Sequence, residues 1–270
     1  MGRSTTLMAP GAILILLLAF TSFASGAASQ ASTPASATTA LAGDPVCGET
    51  ILIPAGTFLM GISRPHPDDE GPQHDVYLQA YRIDRCAVTN DEYRQCVAAG
   101  ACSEPADLRA FADPGFGDHP VVFISWYNAR VYCRWLGKRL PTEAEWEKAA
   151  RGDDGRSFPW GNEMLRDRLN ADNRFGGTTR VGSFPSGASA YGVLDMAGNV
   201  WEWVDDWFEP YPGSTFHSDL FGQKYKVVRG GSWNHPAEDA RTFHRDIAHP
   251  GRTIRVVGFR CAVSSGSSSQ

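Results

Sequence analysis

Arg229-Gly230-Gly231-Ser232-Trp233-Asn234-His235, read together with Gly258-Phe259-Arg260-Cys261-Ala262, is the part of the chain on which its fold turns. Gly-Gly-Ser-Trp is not the Gly-x-Ser-x-Gly elbow that presents a nucleophilic serine, so Ser232 with His235 and the many aspartates does not make a hydrolytic triad. His-Pro at 235 and 249 reads as loop, and residues 233 to 245 are expected to form a loop with exposed side chains. Two further stretches belong with it: Gly198-Asn199-Val200-Trp201-Glu202-Trp203, and Gly137 to Glu147 with the run Pro141-Thr142-Glu143-Ala144-Glu145-Trp146.

Outward from these segments the local signals are short. Ile51 to Pro54, Gly56 to Met60, Val76 to Leu78 and Tyr81 to Ile83 are aromatic or branched and bounded by Gly and Pro, which predicts strands. Thr89 with Glu92 makes a capping box for a short helix that ends at Gly100, and Ser125 caps a second that runs to Gly137. Thr142 with Glu145 makes another capping box, for a helix reaching about Arg151. From Gly152 onward Gly, Asp and Asn are dense, so loops are expected, interrupted by short strands near Leu194, Val227-Val228 and Val256 to Phe259. All eight tryptophans lie between Trp126 and Trp233, and such side chains offset the entropy of ordering a loop-rich region. No internal repeat, dinucleotide fingerprint, phosphate loop or His-Glu-x-x-His motif is present, which removes several common enzyme classes.

Residues 1–28 read as a secretory signal: Arg3, an apolar run from Ala12 to Phe20, then small residues to Ala28. The run is short for a membrane span, and the first cysteine, Cys47, is too distant for a lipid anchor. Residues 29–44 are an Ala/Ser/Thr linker expected to be disordered, 45–263 one domain, and 264–270 a disordered tail. A secreted or periplasmic monomer is expected, without a stable membrane span once the signal is cleaved. The net charge of -5 disfavours nucleic acid as a partner. Six cysteines in an exported chain point to three disulfides, of which Cys96 and Cys102 could close a short loop; spacing leaves the other pairings open.

The quoted motifs resemble the formylglycine-generating enzyme, or sulfatase-modifying factor, family across roughly residues 47 to 263. The resemblance implies an α+β, C-type-lectin-like fold, loop-rich and cross-linked by disulfides. It also implies a Cys133 to Cys261 bond, which leaves Cys47 for Cys86. Members that oxidise a substrate cysteine to formylglycine hold copper on two cysteines after the Gly-Gly-Ser; His235 and Ala240 stand in those positions in this sequence. Soft Cu(I) loses its preferred thiolates there, so copper or iron is not expected. An exported binding or accessory module is implied. The alternative is a metal-dependent oxidoreductase of the same family, formylglycine-generating or of non-haem iron type, acting on a cysteine or thiol.

Calcium is the expected cofactor. Asp195 and Glu202 flank a tight Gly-Asn turn whose Gly198 and Val200 carbonyls could turn inward, and the family binds calcium at the matching positions. Asn170 and Ala171 lie where the family has a second calcium loop, here shortened. The segment around Arg229 also resembles the binding face of other C-type-lectin-like proteins, including variable proteins of diversity-generating retroelements. On that face Trp233 would be an aromatic anchor, with Arg229, Asn234, His235, Arg241, His244 and Arg245 as polar contacts to a protein, a peptide or a small anion. His235, His244 and His249 match no helical metal spacing. The arginines otherwise suit salt bridges to Asp205, Asp206, Glu238 and Asp239.

Overall fold

A computed structural model describes residues 47–64 and 68–264; the signal, the linker and most of the tail fall outside them. Ser264, assigned to the tail by the sequence reading, instead closes the last strand opposite Tyr81.

Three helices form where their caps predict. α1 (Asn90–Ala98) and α3 (Glu143–Arg151) each carry a complete capping box, on Thr89/Glu92 and Thr142/Glu145. α2 (Trp126–Trp135) is capped by Ser125, whose side chain accepts from the Asn128 amide. Each cap satisfies amides that an isolated helix end leaves without a partner.

Among the described residues nine strands make three small sheets. β1 (Thr50–Ile53), β4 (Tyr81–Asp84) and β9 (Ala262–Ser264) form one in the order β1-β4-β9, and β2 (Gly56–Met60) pairs with β3 (His74–Leu78). The third runs β7-β6-β5-β8, from β7 (Arg245–Ala248) through β6 (Lys226–Arg229) and β5 (Trp201–Trp207) to β8 (Val257–Phe259), with β5 and β8 parallel. No strand forms at Leu194, where one was expected; its amide bonds the Arg85 carbonyl from a loop.

Strand β5 divides the core. Side chains of a strand alternate between faces. Trp201 and Trp203 enter one cluster with Tyr93 of α1 and Trp126 and Tyr132 of α2. Val204 enters another with Trp146 of α3, whose indole Nε1 donates to Glu202 at 2.8 Å. The indoles of Trp126 and Trp203 donate to the carbonyls of Val204 and Ile124, so these large rings leave no polar atom unsatisfied.

The described cysteines form three disulfides, Cys47–Cys86, Cys96–Cys102 and Cys133–Cys261. The last ties α2 to the segment just after β8. Among the described residues no helix is long and apolar enough to cross a membrane.

Candidate functional site

The Gly-Gly-Ser segment leaves β6 and is strapped by backbone bonds on both sides. Gly198 N donates to Gly230 O at 2.7 Å and Trp233 N to Asn199 O at 3.0 Å, while the amides of Asn173 and Asp172 reach the carbonyls of Trp233 and His235. At two glycines no side chain fits. A Cβ on Gly198 would lie 2.4 Å from the Asn170 carbonyl oxygen, and one on Gly231 would lie 3.1 Å from the Ala240 backbone; both have positive φ.

Ser232 Oγ lies 2.6 Å from His235 Nδ1, and Trp201 Nε1 approaches the same nitrogen at 3.3 Å. Nδ1 is therefore engaged by the protein, and Nε2 is the atom His235 can offer a ligand. The Trp201 ring stands between two imidazoles, 5.5 Å from His235 and 5.7 Å from His244. His244 Nδ1 meets Glu70 Oε1 at 2.5 Å, and Arg64 reaches the other oxygen of Glu70. Burial of Glu70 works to raise its pKa, but the His244 hydrogen bond and the charges of His244, Arg64 and Arg241 outweigh it and hold the carboxyl below its usual value.

Asn234 and Arg241 are half-buried like His235 and His244; Asn234 Oδ1 accepts from Ser232, and Arg241 lies 3.9 Å from Glu70. Arg229, Trp233 and Arg245 do not join them as exposed contacts, which corrects the sequence expectation: all three are buried. Arg229 donates to Glu143 and Glu147, and Arg245 to Glu143. Their carboxylates come from α3, not from Asp205, Asp206, Glu238 or Asp239. A buried guanidinium must find an anion that is equally desolvated, and α3 supplies two on adjacent turns of one face. Trp233 is 8% exposed and covered by the Arg255 guanidinium at 5.2 Å. His249 sits beside Tyr225, away from the Trp201 pair.

The two stretches expected to hold a cation do come together, since Asn170 pairs with Gly198 as an isolated parallel bridge. Their side chains differ in what they still demand. Asn170 Oδ1 is buried and has no hydrogen-bond partner, which suits a hard cation. Burial pushes the Asp195 carboxyl up to about 6 despite the Gly182 amide and the Arg260 charge. Glu202 does not fit: Arg260 holds both its oxygens, at 2.6 and 2.7 Å, and Trp146 donates to one of them. The Gly198 and Ala171 carbonyls accept from Val200 and Arg174 within their own turns. Among the described residues no three His, Cys, Asp or Glu side chains converge as a metal cluster.

Sequence reasoning missed Glu70, Glu143 and Glu147. Glu143 and Glu147 stand four apart on α3, a spacing that puts both on one face and was open to notice. Glu70 ends the run Asp68-Asp69-Glu70, which looks like any solvated acidic turn.

Residues 37–265 match the model of the sulfatase-modifying factor enzyme 1-like domain. The chain is 36% identical over 81% of its length to serine/threonine-protein kinase pkn1 of Chlamydia caviae, and spans 38% of that protein. It is 35% identical to hercynine oxygenase of Mycolicibacterium smegmatis, covering 80% of this chain and 61% of that protein. It is 33% identical to inactive C-alpha-formylglycine-generating enzyme 2 of Mus musculus, covering 80% of this chain and 86% of that one. Among solved structures, PvdO of Pseudomonas aeruginosa superposes with a TM-score of 0.64 at 30% identity, covering 80% of this chain and 94% of that chain. Treponema denticola variable protein 1 superposes with a TM-score of 0.65 at 26% identity, with the same coverage of 80% and 94%.

Proposed function

Because the chain belongs to the sulfatase-modifying factor enzyme 1-like family, we propose that it is an exported binding or accessory module of that family, supported by calcium and without copper-cysteine chemistry. The observation that carries this is what occupies the two positions after Gly-Gly-Ser where copper-holding members of the family have cysteine. Ala240 is 1% exposed and gives a methyl group packed against Gly231. His235 gives an imidazole with one nitrogen already engaged by Ser232. A methyl group donates nothing to a metal, and a single imidazole does not replace two thiolates for Cu(I).

The face that remains suits binding. His235 and His244 flank the Trp201 indole, Asn234 accepts from Ser232 beside His235, Arg241 lies near Glu70, and Glu70 fixes the orientation of His244. Export is supported by the three disulfides, which persist in oxidising compartments, and by the N-terminal signal pattern. The test is direct: the protein incubated with a cysteine-containing sulfatase peptide, copper and oxygen should yield no aldehyde by mass spectrometry. A clear aldehyde product would overturn the proposal. The similarity to hercynine oxygenase favours a second reading, an oxidoreductase acting on a thiol; consumption of oxygen with Fe(II) and a thiol would establish it.

Asn170 and Asp195 are the residues that would hold calcium, through the orphaned amide oxygen and the buried carboxylate. Calcium would supply a charge that neither side chain now meets in full. Millimolar calcium should raise the melting temperature of chelator-treated protein, by an amount equivalent to about 2.7 kcal/mol at a hundredfold excess over Kd. Asn170→Ala should abolish the increase. An unchanged melting temperature with calcium in the unsubstituted protein would remove calcium from the account.

A further inference from the structure

We propose that the cleft between α2 and the far end of β5 binds a peptide segment carrying an acidic and a basic side chain on either side of an apolar one. This cleft has a volume of about 820 Å³ and lies at the Trp207 end of β5, whereas His235 and His244 lie against its Trp201 end. A volume of that order accommodates ligands well beyond a single amino acid.

Its walls carry opposite charge. From α2 come Arg130 and Arg134, four residues apart and hence on one helix face. From β5 and the residue pair beyond it come Asp205, Asp206 and Glu209. Asp206 is spoken for, because its Oδ2 accepts the Glu143 amide at 2.6 Å. Among the described residues Arg130, Arg134, Asp205 and Glu209 close no side-chain salt bridge, although the Asp205 charge acts on Lys226 and Arg139 in the same lining. Four charges facing across one cleft without closing on each other are what a ligand with complementary charges would complete.

Lys226 lies between the two walls with its ammonium 4.1 Å from the Trp126 ring and 3.8 Å from the Trp207 ring, and donates to the Asp205 carbonyl at 2.7 Å. The two indoles stack around it with centroids 6.5 Å apart. Arg130 packs over the same sandwich, 5.2 Å from the Trp126 ring. Tyr127, 52% exposed at the rim, and the half-buried Trp207 offer apolar surface for the middle of the segment. A free amino acid separates its charges by one carbon atom, which is too short to span the indole pair. A peptide distributes them over several residues.

The test uses the full exported chain and blocked pentapeptides with a central phenylalanine: one flanked by glutamate and lysine, one by two glutamates and one by two lysines, with free phenylalanine as a fourth probe. Binding is read by calorimetry and by the indole N–H resonances of Trp126 and Trp207. The mixed peptide should bind about tenfold more tightly than free phenylalanine and about threefold to fivefold more tightly than each single-sign peptide, which two and one exposed ion pairs respectively permit. Arg130→Glu with Arg134→Glu should remove that preference while the circular dichroism spectrum remains that of the folded protein. Equal binding of a single-sign peptide, equal binding of free phenylalanine, a mixed-peptide affinity unaffected by the double substitution, or no binding by any probe would each overturn the proposal. The Gly-Gly-Ser segment plays no part in these outcomes, so they are independent of the aldehyde and calcium tests.

Discussion

Glu143→Leu should destabilise the protein by about 3 to 5 kcal/mol, the range expected when one member of a buried ion cluster is removed. Glu143 is the hub of the cluster: Oε1 accepts Arg229 at 2.7 Å and Arg245 at 2.7 Å, Oε2 accepts Arg245 at 3.0 Å, and Tyr211 donates to Oε1 at 3.2 Å. Burial alone would raise its pKa, but the charges of Arg245 and Arg229 prevail and hold the carboxyl below its ordinary value. Glu147, shared between Arg229 and Arg151, is the other anion. Without Glu143, three buried guanidiniums face one carboxylate, and Arg245 keeps the Asp69 and Glu209 carbonyls as its hydrogen-bond acceptors, with the Phe208 and Tyr211 rings beside it. Leucine restores the volume, so the loss measures the unpaired charge and not a cavity. Adding Arg245→Met should recover part of the loss, because it removes the cation left without an anion. Urea denaturation followed by circular dichroism reads both values. A loss below about 1 kcal/mol for the single substitution would place Glu143 with ordinary solvated ion pairs.

This cluster also marks the boundary of what the sequence discloses. Helix starts are local: Thr89/Glu92 and Thr142/Glu145 act within three residues, and each helix begins beside its capping box. Strand β5 is not local. Trp201-Glu202-Trp203-Val204 has no apolar and polar alternation because both of its faces are buried, and Glu202 is tolerated inside only because Arg260 neutralises it. β7 begins with Arg245 and Asp246, and reads as a solvated loop until Glu143 is known to lie opposite. In the site, Ser232 lies within hydrogen-bond reach of His235, a pair that the sequence reading weighed only as part of a hydrolytic triad and set aside. Glu70 joins them from 174 residues before His244, a partnership that no local pattern encodes. The resemblance to a family supplied the Cys133 to Cys261 pairing, which spacing left open among the alternatives.

That pairing carries the second large effect. Replacing both Cys133 and Cys261 by alanine should cost about 5 kcal/mol in the chain-entropy treatment, since the bond closes a loop across a sequence separation of 128 residues. The same treatment gives about 2.4 kcal/mol for Cys96–Cys102, with a separation of 6, and an intermediate value for Cys47–Cys86, with a separation of 39. Packing reinforces the order. Cys133 and Cys261 are both fully buried in the cluster that holds Tyr93, Tyr132 and Phe259, so alanine there also removes contacts in the densest aromatic region. Cys102, by contrast, only borders that cluster. Position adds a further reason: Cys261 follows Arg260, and its amide donates to Asp84 of β4 at 2.9 Å, so the bond holds α2 against the segment that delivers Arg260 to Glu202. Denaturation midpoints of the three double-alanine proteins, measured at one protein concentration with the remaining bridges intact, should therefore fall in the order of loop length. If Cys96 and Cys102 proved the costlier pair to lose, local strain or contacts at the end of α1 would outweigh loop closure, and the loop-rich half of the domain would have to be held by its tryptophans and buried ion pairs instead.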